Sequence, residues 1–138
     1  MGLFITFEGI EGCGKSTQVR LLTQHLATLG HDILATREPG GCPIADKIRA
    51  ILLDAANKEM TSDTELLLYA AARAQHVSQV IQPALKSGKT VLCDRFTDAT
   101  IAYQGHGRKL DHGLIIELNR IATSGLKPDI TVLIDCPV

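Results

Sequence analysis

The octapeptide Gly9-Ile10-Glu11-Gly12-Cys13-Gly14-Lys15-Ser16 constrains what this chain can fold into more than any other stretch. It satisfies the phosphate-binding pattern G-x-x-x-x-G-K-[ST] at every position. The pattern has meaning only between a strand and a helix, and both flanks fit. Residues 3–8 read as a buried β-strand, Leu3-Phe4-Ile5-Thr6-Phe7-Glu8. Residues 17–29 read as an amphipathic helix, with Val19, Leu22, Leu26 and Leu29 at helical spacing and Gly30 as its stop. Such a loop aims successive backbone N–H groups at an anion, and the helix N-terminus adds partial positive charge. Gly12 and Gly14 allow an approach that a Cβ would obstruct. The pattern therefore assigns a phosphate cradle to Gly9, Glu11, Gly12, Cys13, Gly14, Lys15, Ser16 and Thr17. Lys15 would reach the β- and γ-phosphates of a nucleotide, and the Ser16 hydroxyl would hold Mg²⁺.

Further along, strands and helices alternate. Residues 32–37, 90–94 and 130–134 read as strands; residues 43–54, a long run from the capping box Ser62-Asp63-Thr64-Glu65, and residues 111–123 read as helices. Ile44, Ile48, Ile51 and Leu52 lie along one side of the second helix. Pro83 is expected to kink or restart the long helix, and Gly88 to end that segment. This alternation predicts an α/β fold: a parallel sheet with helices on both faces, in one domain spanning residues 1–138. Ligands of such sheets bind beyond the carboxyl ends of the strands. The phosphate loop, Arg37-Glu38, Asp94-Arg95 and Asp135 all follow strand ends, so they should converge on one rim.

Composition narrows the partners. A net charge of -1 leaves no broad basic surface for nucleic acid, so anion affinity must be local. Arg37, Arg49, Arg73 and Arg95 are the candidate clamps. Cys13, Cys42, Cys93 and Cys136 have no zinc-type spacing, none of the five histidines forms a ligand pattern, and a reducing cytoplasm fits the free thiols. The opening residues run straight into a strand without the charged-then-apolar layout expected of a signal peptide, and no apolar run approaches the length of a membrane span. Asp94 and Asp135 each end an apolar strand and compete for the role of Mg²⁺-supporting carboxylate. Arg95, directly after Asp94, suits a metal and a phosphate together. Tyr69 and Arg73 are four apart and share a helix face. They could grip a nucleobase, or they could be a half-buried tyrosine beside a snorkelling arginine.

Taken together, several segments resemble the thymidylate kinase family. These are Phe7-Glu8-Gly9 running into the loop, Arg37-Glu38-Pro39-Gly40-Gly41, Ile48-Arg49, and Leu68-Tyr69-Ala70-Ala71-Ala72-Arg73. Asp94-Arg95-Phe96, Ala102-Tyr103-Gln104-Gly105 and Lys127-Pro128-Asp129-Ile130-Thr131 follow in family order. The resemblance implies transfer of the ATP γ-phosphate to dTMP, with Mg²⁺, in a cytoplasmic homodimer that binds neither nucleic acid nor membrane. It makes Lys15, Asp94 and Arg95 catalytic, and Ser16 and Asp94 the metal residues. It places Glu11 near the sugar 3′-hydroxyl, Tyr69 on thymine, and Arg73 on the base edge. Arg49 and Arg95 hold the 5′-phosphate, and Glu38 belongs to the dTMP site. Thr100 and Gln104 line the base site, and Tyr103 packs near the sugar 2′ carbon. Gly12 stands where one branch of the family has arginine; by resemblance, the branch without it supplies basic residues from a lid. Phe96 replaces a more common tyrosine, and Ala45 and Asp46 replace Gly and Glu. The family continues past the strand ending at Asp135 with a lid, a further strand and the adenine-contacting end. The resemblance thus implies about the N-terminal two thirds of such a domain. A GTP-binding switch shares the phosphate loop, but Asn57-Lys58-Glu59-Met60 lacks the aspartate that reads guanine. Another small-molecule kinase, or a nucleotide-binding module without turnover, is the remaining alternative.

Overall fold

The alternation of the two faces of β1 builds the core. The structure, a computed structural model, describes residues 1–97 and 111–137. Strand β1 (Phe4–Glu8) pairs in parallel with β3 (Thr90–Asp94) on one side and β4 (Ile130–Leu133) on the other; β2 (Ile33–Arg37) pairs with β3. The sheet order is β2-β3-β1-β4. Phe4 opposes Val91 and Ile5 opposes Leu92, so successive residues enter opposite layers. On one face, Phe4, Val91 and Cys93 pack with Val77, Ile81, Leu85 and Phe96. On the other, Ile5, Phe7 and Leu92 pack with Val19, Leu22 and Leu26 of α1 (Lys15–Thr28). The parallel sheet with helices on both faces is as expected.

The helices depart from expectation in detail. α1 begins at Lys15 and ends in a Schellman motif, Gly30 N–H to Ala27 O and His31 N–H to Leu26 O. Helix α2 (Pro43–Leu53) only partly buries its isoleucine side. Ile44 and Ile51 are about half exposed, while Ala45 is fully buried against Ala72 and Cys42, with Ile48 beside them. Two alanines let α2 and α3 approach closely, so the contact forms on the small residues. Helix α3 (Ser62–His76) is capped by Thr61 rather than Ser62. Thr61 is extended, and its Oγ1 accepts from Thr64 N–H at 3.1 Å, which puts Ser62 inside the first turn. A π-helical turn (Val77–Ile81) separates α3 from α4 (Gln82–Lys86). Gln82 N–H reaches Val77 O, a five-residue step. Pro83 has no N–H to continue the ladder, so the helix restarts there, as expected. Helix α5 (His112–Thr123) follows, with Asp111 accepting from Gly113 N–H. No described helix is long and apolar enough to cross a membrane.

Candidate functional site

Parallel strands carry their outgoing loops to one edge. The loops after β1, β2 and β3 meet there around a cavity of about 530 Å³, which Arg49 of α2 also reaches. Glu11, Gly12, Gly14, Lys15, Ser16, Thr17, Arg37, Glu38, Arg49, Asp94 and Arg95 line it. The expected convergence therefore extends to most of the predicted residues. Asp135 is the exception: it is exposed and lies outside this lining. Asp94 instead accepts a 2.9 Å hydrogen bond from Ser16 Oγ through Oδ2, while its buried Oδ1 has no partner among the described residues. A hydroxyl and a half-used carboxylate at one point are hard oxygen donors suited to Mg²⁺.

Lys15 is buried, and its Nζ donates to Gly9 O at 2.9 Å and Ile10 O at 2.8 Å. The ammonium thus stays at the loop despite its long stem. Glu11 is largely exposed, and Arg95 reaches it at 3.3 Å. Arg95 is also one of two non-glycine residues with positive φ among those described, at 70°. A left-handed arginine costs on the order of 1–3 kcal/mol. Its backbone is over-determined: Arg95 N–H donates to Phe7 O at 2.9 Å, and Arg95 O accepts from Cys93 Sγ at 3.1 Å. That constraint turns the chain at the end of β3 so that the guanidinium enters the cavity.

The cavity is electropositive on one wall. Arg49 is pushed below its ordinary value first by burial and then by the Arg37 charge, with Arg95 adding to it and Asp46 and Tyr69 opposing. Three guanidiniums that repel one another at a loop with a buried lysine form a site for a polyanion. Arg49 is held by a 2.8 Å bond to Pro39 O.

Behind this wall runs a buried polar network. Glu38 Oε1 takes Arg73 Nε at 2.5 Å, and Glu38 Oε2 takes His76 Nδ1 at 2.7 Å. His76 Nε2 faces Thr36 Oγ1 at 2.7 Å. Arg73 also donates to Asn119 Oδ1 at 2.5 Å and Phe96 O at 3.0 Å, and lies over the Phe96 ring. Burial raises the Glu38 carboxyl, but the Arg73 charge and the His76 hydrogen bond outweigh it and hold the group below its ordinary 4.5. Arg73 is 4% exposed, so it is not a snorkelling surface group. Among the described residues three of its five N–H groups have partners, and it reaches the cavity wall only through Glu38. Tyr69 is half-buried on α3 and is not part of the lining. Gly9 and Cys13 form the back of the loop: a Cβ on Gly9 would lie 2.6 Å from Ile134 O and 3.1 Å from Cys13 Sγ. Thr100, Tyr103 and Gln104 lie outside the described residues. Sequence reasoning passed over His76, Asn119 and Glu8, whose Oε1 accepts from Phe96 N–H at 2.8 Å. The spacing of Arg73 and His76, three apart on one helix face, was the one available signal.

Parallel topology, a phosphate loop leaving the central strand, and a metal-suited Ser16–Asp94 pair define a P-loop α/β protein with an arginine-lined second anion wall. The sequence profile described as Thymidylate kinase matches residues 7–138, and the chain belongs to that family. It is 70% identical over its whole length to the thymidylate kinase of Geotalea uraniireducens (strain Rf4), of which it covers 65%. It is 65% identical to the thymidylate kinase of Geobacter sulfurreducens, again covering 65% of that protein. A crystal structure of thymidylate kinase from Ehrlichia chaffeensis superposes with a TM-score of 0.90 at 43% identity, over 97% of this chain and 71% of that one. The chain thus spans about two thirds of the length of the curated relatives it matches.

Proposed function

We propose that this chain carries the phosphate-loop and acceptor half of a thymidylate kinase, which passes the γ-phosphoryl group of ATP to dTMP to give dTDP. The single observation behind this is the shared cavity. One wall is the loop from Glu11 to Thr17, the other is Arg37, Arg49 and Arg95, and 530 Å³ lies between them. Donor and acceptor phosphates would meet there. Phosphoryl transfer needs positioning and neutralisation of charge more than covalent chemistry. Loop N–H groups and Lys15 hold the donor phosphates. Arg49 and Arg95 hold the acceptor 5′-phosphate and orient its attacking oxygen. Ser16 and Asp94 would hold Mg²⁺, which when bound offsets negative charge on the donor phosphates. Glu11 lies by the sugar 3′-hydroxyl, Tyr69 supplies a ring for thymine, and Arg73 orders the base end of the site through its buried contacts. By the family resemblance, Thr100, Tyr103 and Gln104, outside the described residues, are assigned to dTMP. The same reading takes residues 1–138 as about the N-terminal two thirds of one kinase domain in a cytoplasmic homodimer.

The test is a panel of nucleoside monophosphates offered with ATP and Mg²⁺, with product formation and binding measured side by side. Preference for dTMP in both supports the reading. A different preferred acceptor makes this another small-molecule kinase. Binding of ATP and dTMP with no dTDP from the protein in its longest natural form makes it a nucleotide-binding module.

A further inference from the structure

The four thiols of the chain fall into two kinds. Cys42 and Cys93 are buried in the core, and burial pushes the Cys93 thiol well above its ordinary value. Cys13 and Cys136 are half-exposed, and the fold brings them together across 123 positions of sequence. The register of β1 with β4 makes this contact, since Glu8 opposes Leu133 and Ile134 N–H bonds to Glu8 O at 2.9 Å. The residues that leave the two strands therefore run side by side. Cys136 Sγ donates to Cys13 O at 3.3 Å, and Cys13 Sγ donates to Ile134 O at 3.8 Å.

We propose that Cys13 and Cys136 are an oxidation site on the phosphate loop, closing to a reversible disulfide when the protein meets a hydroperoxide. The Cys13 thiolate attacks one peroxide oxygen; the O–O bond breaks, and the leaving alkoxide or hydroxide takes up a proton. This leaves a sulfenic acid on Cys13. The Cys136 sulfur then attacks the Cys13 sulfur, the S–O bond breaks, and hydroxide leaves with the Cys136 thiol proton as water. Two thiols and one hydroperoxide give one disulfide, one alcohol or water, and one further water. The sulfurs lose two electrons and the peroxide gains them.

Cys13 is assigned the first attack because it is half-exposed on the phosphate loop just before α1, where a peroxide can reach it. Desolvation, then the neighbouring Cys13, raises the Cys136 thiol, so the first attack on peroxide falls to Cys13 and Cys136 follows as its neighbour. The bond would pin the loop between Gly12 and Gly14 to the end of β4. A pinned loop cannot adjust its N–H groups around a phosphate chain, so nucleotide affinity should fall. This consequence rests on the reading of the loop as a nucleotide site; the disulfide itself does not.

The experiment treats the chain with a small molar excess of hydrogen peroxide, then digests it without reduction. The expected results are a peptide pair linked through Cys13 and Cys136, loss of two of four titratable thiols, and ATP affinity lowered about fivefold or more. Dithiothreitol should reverse all three. Cys136→Ala should give no linked peptide under peroxide, with the oxygen remaining on Cys13 as sulfenic acid. Linkage through Cys42 or Cys93, links only between chains, or sulfinic acid on Cys13 without linkage would overturn the proposal. So would a linked protein with unchanged ATP affinity. If the reduced chain binds no ATP, the nucleotide reading of the loop fails, and the linked peptide alone decides the oxidation site.

Discussion

Lys15 and Arg95 meet the same problem in different ways: each must present a cation to the cavity from a backbone that has no slack. Lys15 is held by two loop carbonyls, and Arg95 by a left-handed φ. Removing the ammonium leaves the developing charge on the transferring oxygens without its nearest offset. On the proposed function, Lys15→Ala in the full-length protein should therefore lower turnover about a hundredfold or more, with dTMP binding little changed. Near-normal turnover would remove Lys15 from the mechanism. Arg49→Ala and Arg95→Ala should each weaken dTMP binding by about 1–3 kcal/mol and thymidine binding far less, since thymidine has no phosphate. Equal losses for the two ligands would contradict the assignment. Glu38 gives the pH dependence. Its carboxyl is held below 4.5 in the folded chain, so the unfolded chain binds more protons there. Its contribution to stability is complete above that value and is lost as pH falls through the folded value. The stability gap between the native chain and Glu38→Gln should be widest near neutrality and close as pH drops below 4.5. A gap of constant size from neutral to acid would show that the carboxylate charge is not what Arg73 and His76 recognise.

Among the elements, α3 carries most of the buried network, so its start and end matter. Its cap is Thr61, whose hydroxyl accepts from Thr64 N–H and pairs with Thr64 Oγ1 at 2.8 Å. Thr61→Ala should cost about 1 kcal/mol of unfolding free energy, whereas Ser62→Ala should cost a few tenths at most. Chemical denaturation of both variants distinguishes them, and the reverse order would place the cap at Ser62. The sequence offers two overlapping hydroxyls here, and only backbone conformation chooses between them. The end of α3 was more legible. Pro83 lacks a donor wherever it falls, so an interruption near it follows from covalent structure alone. That the interruption takes the form of a π turn, with Val77 and Ile81 directed into the core, depends on packing against the sheet.

For the whole molecule, β4 is the consequential strand. It pairs with β1 on one side and, among the described residues, has no strand on the other, with Leu133 71% and Ile130 47% exposed. An apolar edge recruits other chains through its unpaired backbone groups. Leu133→Lys should reduce self-association of this chain in sedimentation measurements without lowering its thermal midpoint. Unchanged association would shift attention to the exposed Ile116 and Ile121 of α5. The β1–β4 pairing also sets Cys13 against Cys136, so one register serves both the sheet and the thiol contact.

The sequence by itself determined the local and the polar: the phosphate loop, the strand-helix alternation, and the ends of strands as the place where Arg37, Asp94 and Arg95 gather. These follow from periodicity, backbone chemistry and the direction of parallel strands, which are properties of short segments. Tertiary structure decided what depends on distance between segments. It put Asp94 rather than Asp135 on Ser16, because β3 and β4 leave different edges of β1. It centred the α2 contact on Ala45 with Ile48 beside it and left Ile44 and Ile51 about half exposed, because the close approach of α2 to α3 rewards small residues. It turned Arg73 inward onto Glu38, where His76, Asn119 and Phe96 complete its shell; no pattern in the chain shows that residues 38, 73, 76 and 119 meet. Charge and hydrogen-bonding capacity can be read from one residue, but whether they are satisfied depends on neighbours that only the folded chain supplies.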